Sequence, residues 1–319
     1  MRIAVLGAGA IGSMLGMFLQ EGGADICLVD PFEDHMKKIR EEGLNFTGVS
    51  GESKRVKMKT YTSPEEAGEA DLIIVLVKGL FTRSALKGAS KMIGDRTCVL
   101  TCQNGLGQEA PLREFFPENR ILMGCLGFSS VLKGPGEIYG NINRNPGKVH
   151  IYVGCMDKEG GPVELAGEVV KYAEAGGLVA KYSGDIRIPI WEKAANNVSC
   201  NALCGILRVT LGQMYEVEQG KKIHNEILRE LAKVGSAMGV PMDAERLLES
   251  FEKVTYPGVC RHYPSTAQDI FNKKQTEIDF LNGAVSRYGK ELGIPTPYND
   301  MICGLVKVIE ANYENLYRI

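Results

Sequence analysis

The first twelve residues constrain this chain more than any others. Arg2 to Leu6 form a short apolar strand that runs directly into Gly7-x-Gly9-x-x-Gly12, and a helix-forming stretch, Ser13 to Gln20, follows at once. A dinucleotide phosphate site requires that order. Gly7 makes the tight turn, Gly9 lets the backbone approach a pyrophosphate, and Gly12 lets helix and strand pack closely. The unpaired N–H groups of the helix start, around Ala10 and Ile11, then face the phosphate charge. Alone, the glycine pattern is a weak signal, because small-residue turns produce it by chance. Here a second apolar strand, Asp25-Ile-Cys-Leu-Val, ends in Asp30, eighteen residues after Gly12. At that position a carboxylate can accept hydrogen bonds from both ribose hydroxyls of an adenosine. An ordinary strand-to-helix turn leaves Asp30 unexplained.

At 319 residues the chain has room for two domains, each with its own core. Lys and Arg total 37 against 39 Asp and Glu, and no basic stripe stands out, so nucleic acid is not an expected partner. The longest purely apolar run, Leu72 to Val77, is far short of a membrane span. The N-terminal stretch superficially resembles a signal peptide, but its use as strand and phosphate loop accounts for it better. The expectation is therefore a cytoplasmic protein without a membrane partner. The nine cysteines are scattered and mostly lie in apolar segments (Cys27, Cys98, Cys125, Cys155), as reduced thiols in a core would. Cys200 and Cys204 sit one helical turn apart. With four histidines and no Cys-x-x-Cys they make at most half a metal site, and no metal is expected.

Strand candidates at 2–6, 25–30, 71–78, 97–102 and 120–126 alternate with helical stretches, which predicts a Rossmann-type α/β domain with a doubly wound parallel sheet. Residues 137–154 alternate around Gly and Asn and suggest an added antiparallel pair. From about Asp185 the pattern becomes helical, at 187–207, 213–238, 243–253 and 266–289, with a last helix from about Asn299. The domain boundary is placed near Ser183-Gly184, giving residues 1–184 to dinucleotide binding and 185–319 to an all-α domain.

Lys193, Asn197 and Asn201 fall at i, i+4 and i+8 on the first helix of that second domain, with Asn196, Cys200 and Cys204 beside them. Ala194, Ala195, Val198 and Ala202 form the other face. A solvated face is the commoner use of such a stripe. Asn, however, is a poor helix former, and repeated Asn fits a place where amides must meet specific partners. Ser265 is read as a cap for the helix at 266, and Thr276 to Asn282 as its continuation; Glu277 and Asp279 are by default surface acids. Lys78-Gly79 and Thr101-Cys-Gln-Asn104-Gly105-Leu-Gly107 lie at carboxyl ends of strands, where such sheets place ligand contacts.

Taken in order, the fingerprint, Val77-Lys78, Gln103-Asn104-Gly105-Leu-Gly107, Trp191-x-Lys193-x-x-x-Asn197-x-x-x-Asn201, Ser265-x-x-Gln-Asp and Thr276-Glu277-Ile-Asp279 resemble the ketopantoate reductase (2-dehydropantoate 2-reductase) family over nearly the whole chain. That resemblance implies a Rossmann domain joined to a helical domain, as in the 6-phosphogluconate dehydrogenase superfamily. The implied reaction is hydride transfer from a nicotinamide cofactor to the 2-keto carbon of ketopantoate, in pantothenate and coenzyme A synthesis. It further implies Lys193 as general acid, with Glu277 orienting it and binding the substrate hydroxyl. Asn197 and Asn201 would hold substrate polar groups, Ser265 the carboxylate, and Asn104 the meeting place of cofactor and substrate. Lys78 would lie beside the cofactor, and the superfamily resemblance points to a homodimer through the helical domain.

Family members that use NADPH usually carry a basic residue just past the second strand. This chain has Asp30-Pro-Phe-Glu-Asp34, which favours NAD(H) over NADP(H). Arg261-His262-Tyr-Pro264 stands where the family often has an Asn-containing stretch, which loosens the substrate assignment. Another 2-oxo acid, or an opine-type or hydroxyacid dehydrogenase on the same plan, is the alternative enzyme reading. A non-catalytic dinucleotide sensor is the alternative from another class.

Overall fold

The computed structural model describes residues 1–142 and 147–315, which divide into two compact units. One runs from Met1 to Gln103 and from Gln108 to Ile186; the other joins Asn104–Gly107 to the chain from Arg187 onward. Each has its own apolar core.

The first unit holds strands β1 (Arg2–Leu6), β2 (Asp25–Val29), β3 (Leu44–Gly48), β4 (Ser53–Val56), β5 (Lys59–Tyr61) and β6 (Leu72–Val75). It continues with β7 (Cys98–Thr101), β8 (Ile121–Leu126), β9 (Ser129–Gly134), β10 (Glu137–Asn141), β11 (Ile151–Cys155) and β12 (Ala180–Tyr182). One sheet has the order β12-β11-β8-β7-β6-β1-β2-β5, parallel throughout except where β11 meets β8. The Rossmann-type sheet expected from the alternation is therefore present. The chain leaves β1 for β2 on one side and reaches β6 on the other, so the order reverses beside β1. Sheets of this kind take their ligands at that reversal. All four residues of β6 are buried, as an unbroken apolar run requires, but the strand ends at Val75 rather than continuing to residue 78.

The antiparallel pair expected over 137–154 is not formed. β10 pairs with β9 and β3 in a second sheet, of order β4-β3-β10-β9, while β11 joins the main sheet. Residues 143–146 of that expectation lie outside the described residues. The reason is burial. Phe46 on β3 and Ile138 on β10 are register partners, both at most 2 % exposed, and share a core with Met14 and Phe18 of the helix Ala10–Glu21. Phe46 meets the edge of Phe18 with ring centroids 5.9 Å apart. Pairing β10 with β11 would forfeit that cover for the helix Ala10–Glu21.

The second unit is helical. Arg187–Leu207 is one helix, as its spacing predicts. The stretch expected as 213–238 is a short helix, Leu211–Tyr215, closed by a Thr210–Gln213 capping box, followed by Glu218–Ala237. The next helix, Ala244–Ser250, passes into a π-turn over Phe251–Thr255. The last is Pro297–Ala311. The single helix expected over 266–289 is corrected. It is broken into Ser265–Phe271, a 3₁₀ turn at Ile278–Phe280 and a helix Asn282–Leu292. Lys273 takes a left-handed backbone (φ 53°), and Glu310 accepts hydrogen bonds from both the N–H and the hydroxyl of Thr276 at 2.7 Å. Those bonds hold the intervening stretch out of helix.

A buried polar network fixes the long helix among its neighbours. Asn282 donates to the Val198 carbonyl (3.1 Å) and to Asn299 Oδ1 (3.0 Å), while Asn299 donates to Glu230 (2.7 Å) and to the Ile227 carbonyl (3.2 Å). Nearby, His224 is fully buried against Tyr215 and Phe251, donates from Nδ1 to Asn225 Oδ1 at 3.0 Å, and leaves Nε2 without a partner.

Burial pushes the His224 pKa down to about 4, from the ordinary imidazole value near 6.5. The unfolded chain therefore takes the proton first as pH falls. The stability this group contributes is complete above about pH 6.5 and is lost between there and pH 4. A displacement of that size corresponds to roughly 3 kcal/mol. Urea unfolding of wild type and His224→Phe across that window is expected to show the extra acid sensitivity only in wild type. Parallel curves would place the titration elsewhere.

Candidate active site

In the first unit the glycine turn has the geometry its sequence implies. Gly7 has φ +96°, and a Cβ there would lie 2.4 Å from the Val77 nitrogen, so the ends of β1 and β6 touch at this residue. A Cβ on Gly12 would lie 2.2 Å from the Gly7 carbonyl oxygen. Gly9 has no neighbour within 4 Å of its Cβ position, so its free side is open to a ligand. The helix begins at Ala10, Gly9 supplies no side-chain cap, and Ser13 N–H makes the first intrahelical bond, to Gly9. The N–H groups of Ala10, Ile11 and Gly12 precede that bond and point out of the helix start. This cradle suits a pyrophosphate.

Asp30 follows β2 and is half-buried. Its N–H donates to the Tyr61 carbonyl at 3.2 Å, and its Oδ1 accepts the Phe32 N–H at 2.9 Å. One carboxylate oxygen is thus fixed by backbone, which orients the other. The next helix, Glu33–Glu42, opens with Glu33 and Asp34. Lys78 is half-buried just before the 3₁₀ turn Gly79–Phe81.

Gln103 had no role assigned by sequence reasoning and has a clear one. Its Nε2 donates to the Val77 carbonyl (2.6 Å) and to Thr82 Oγ1 (2.9 Å), and its Oε1 accepts from Thr101 Oγ1 (2.8 Å). It braces the Val77-Lys78 segment from the end of β7. The signal available in sequence was its place in Gln103-Asn104-Gly105-Leu-Gly107.

The second unit carries the substrate candidates. Lys193, Asn196 and Asn197 are half-buried and Asn201 is 5 % exposed, so the stripe is not a wet face. The face with Ala194, Ala195, Val198 and Ala202 is buried too. Trp191 seats the helix against Gly235, where a Cβ would come within 2.8 Å of the indole. Asn201 Nδ2 donates to Ser265 Oγ at 3.4 Å. These two residues, far apart in sequence, are brought together. Ser265 does not cap its helix; it is the first helical residue, after Pro264.

Asn104 sits in a turn that packs onto the Glu277 segment. Leu106 N–H donates to the Phe280 carbonyl at 2.7 Å, and a Cβ on Gly105 (φ +94°) would lie 2.4 Å from that oxygen. Glu277 is half-buried between buried Thr276 and Ile278, whereas Asp279 is exposed and paired with Lys307 at 2.5 Å. The two acids are therefore unlike: Asp279 is a surface charge and Glu277 is partly withdrawn from water. His262 is exposed.

The cysteines are packing residues. Seven of the nine free thiols are buried. Cys200 donates to the Asn196 carbonyl at 2.9 Å, and burial pushes the Cys204 pKa up to about 12. Among the described residues no group of three or more His, Cys, Asp or Glu is placed to hold a metal ion, and no helix is long and apolar enough to cross a membrane.

Family models cover most of the chain. Residues 3–158 match the ketopantoate reductase PanE/ApbA model, and residues 185–310 match the model of that family's C-terminal part. The chain belongs to the ketopantoate reductase PanE/ApbA family. It is an NAD(P)-dependent oxidoreductase of the 2-dehydropantoate 2-reductase type. A 2-dehydropantoate 2-reductase of Streptococcus pyogenes is 36 % identical over 312 residues, covering 98 % of each chain. Among solved structures, a D-mandelate dehydrogenase in ternary complex with NADH and anilino(oxo)acetate superposes with a TM-score of 0.87 at 30 % identity, covering 98 % of this chain and 100 % of that one. A PanE/ApbA family ketopantoate reductase from Ralstonia eutropha gives 0.85 at 27 % identity, covering 99 % and 100 %.

Proposed function

We propose that this enzyme reduces the 2-keto group of ketopantoate to pantoate, with Lys193 as the general acid. The observation that carries the reading is the line of half-buried Lys193 and Asn197 and buried Asn201 on one helix, with Asn201 bonded to Ser265. Bound NAD(P)H supplies the hydride; the protein manages the charge that follows. A hydride reaching a carbonyl carbon leaves alkoxide charge on the oxygen, which the Lys193 ammonium stabilises and then protonates from Nζ. Glu277 orients that ammonium and accepts a hydrogen bond from the substrate hydroxyl. Asn197 and Asn201 hold the substrate's polar groups, Ser265 its carboxylate, and Asn104 borders cofactor and substrate. Gly7, Gly9, Ala10, Ile11, Gly12 and Lys78 hold the dinucleotide, and the enzyme works in the cytoplasm.

The test is loss of NADH absorbance on adding ketopantoate, beside pyruvate, 2-oxoisovalerate and phenylglyoxylate. Ketopantoate is expected to give the highest kcat/KM. The likeness to D-mandelate dehydrogenase supports a second reading, reduction of an aryl 2-oxo acid, and preference for phenylglyoxylate would select it. Cofactor binding without turnover on any oxo acid would instead support a sensor.

NADH is the favoured cofactor. A 2′-phosphate at Asp30 would meet a carboxylate pinned by backbone, with Glu33 and Asp34 opening the adjacent helix. At effective dielectrics of surface sites such a contact costs about 1–4 kcal/mol. Initial rates are expected to favour NADH over NADPH in kcat/KM by about tenfold or more. A preference for NADPH would remove Asp30 from the ribose site.

A further inference from the structure

Beneath the glycine turn lies a run of buried hydrogen bonds that the reaction does not by itself require. His35 is 1 % exposed and Ser13 fully buried. Gly136, in the turn between β9 and β10, donates its N–H to His35 Nδ1 at 2.8 Å. An accepting Nδ1 places the ring proton on Nε2, which faces Ser13 Oγ at 3.1 Å and donates to it. The Ser13 hydroxyl then donates to the Ala8 carbonyl at 2.8 Å. Each partner leaves the next only one direction for its proton.

The last link controls the cofactor turn. No peptide bond among the described residues is cis, so the Gly9 N–H points opposite to the Ala8 carbonyl. With that carbonyl held by Ser13, the Gly9 N–H is turned away from Ser13, at a residue whose Cβ position meets nothing within 4 Å. The geometry points to Ser13 and His35 as positioning residues for the dinucleotide: they lock the Ala8–Gly9 peptide in the orientation that offers its N–H to phosphate. This inference rests on the dinucleotide role of the glycine turn and assigns it a support from outside the fingerprint. The second sheet gains a purpose as well, since it supplies the Gly136 N–H that fixes the His35 tautomer. Burial of His35 lowers its pKa, against the opposing pull of Asp30 and the Ala8 carbonyl, so the ring is kept neutral and Nδ1 can accept.

The experiment is NADH binding by fluorescence titration on Ser13→Ala, His35→Leu, His35→Gln and the Ser13→Ala/His35→Leu double variant, with kcat at saturating cofactor and the thermal midpoint of each apoprotein. Loss of one oriented hydrogen bond is expected to raise Kd about tenfold in Ser13→Ala and His35→Leu, with kcat within about twofold of wild type. The glutamine amide restores a donor to Ser13, so His35→Gln is expected to bind within about threefold of wild type. The double variant should be no weaker than either single one, because all act through one peptide. Unchanged Kd in Ser13→Ala overturns the proposal, as does His35→Gln binding as weakly as His35→Leu. If His35→Leu does not fold, Ser13→Ala and His35→Gln decide alone. A wild-type protein that binds neither NADH nor NADPH would fail differently, by removing the dinucleotide site itself.

Discussion

Lys193→Ala is expected to lower kcat by about 10²- to 10⁴-fold, the range for removing a positioned proton donor, which is roughly 3–5 kcal/mol of barrier. Cofactor affinity should stay within about twofold, because the glycine turn and Asp30 belong to a different compact unit. The fold should tolerate the change. Alanine is the best helix former, and Lys193 sits inside a helix of 21 residues seated by Trp191 and the Asn282–Val198 bond. Single-turnover measurement with preloaded NADH separates chemistry from binding: the hydride step itself should slow. Turnover within about threefold of wild type, far below the loss assigned to such a group, removes Lys193 from the mechanism. The same assay on Glu277→Gln distinguishes a partner that holds the ammonium from one that only contacts substrate, since the first lowers kcat and the second raises KM.

How much of this was legible in the residues depended on whether the determining contacts were local. The glycine turn could be read because each glycine answers a constraint within a few residues: a positive φ at Gly7, open space at Gly9, the Gly7 carbonyl under Gly12. The long helix could be read because its period runs unbroken from Arg187 to Leu207. The break before Glu277 could not. It is imposed by Glu310, 34 residues further on, which takes both polar groups of Thr276 and leaves the helix no N–H to continue with. The partner of β10 was hidden for a similar reason. Its register is set by burying Ile138 beside Phe46 over the helix Ala10–Glu21, a demand made by residues in another part of the chain. Ser265 illustrates the same limit at the site. Its position suggests a cap, yet its hydroxyl is claimed by Asn201, 64 residues earlier.

Two alanine substitutions three residues apart should separate folding from cofactor binding at the glycine turn. Gly12→Ala puts a methyl group 2.2 Å from the Gly7 oxygen and 3.2 Å from Val5 Cγ1, and the nearest of these is backbone that cannot rotate away. Either the helix lifts off β1 or the Gly7 turn opens. Overpacking of this kind costs roughly 3 kcal/mol, a loss of about 6–12 °C in the apoprotein's midpoint for a unit of this size. The displaced turn should also lose NADH affinity by about 10²-fold, since the N–H groups of Ala10, Ile11 and Gly12 move with the helix start. Gly9→Ala meets nothing in the protein within 4 Å, and its φ of −67° suits any residue. Its midpoint should hold within about 2 °C, or rise slightly as the unfolded chain loses freedom. Its NADH affinity should still fall, by about tenfold or more, because the methyl fills the approach that the bare backbone leaves for pyrophosphate. Thermal scans of both apoproteins beside NADH titrations make the comparison. Gly9→Ala binding NADH as wild type does would show that the dinucleotide does not approach this turn.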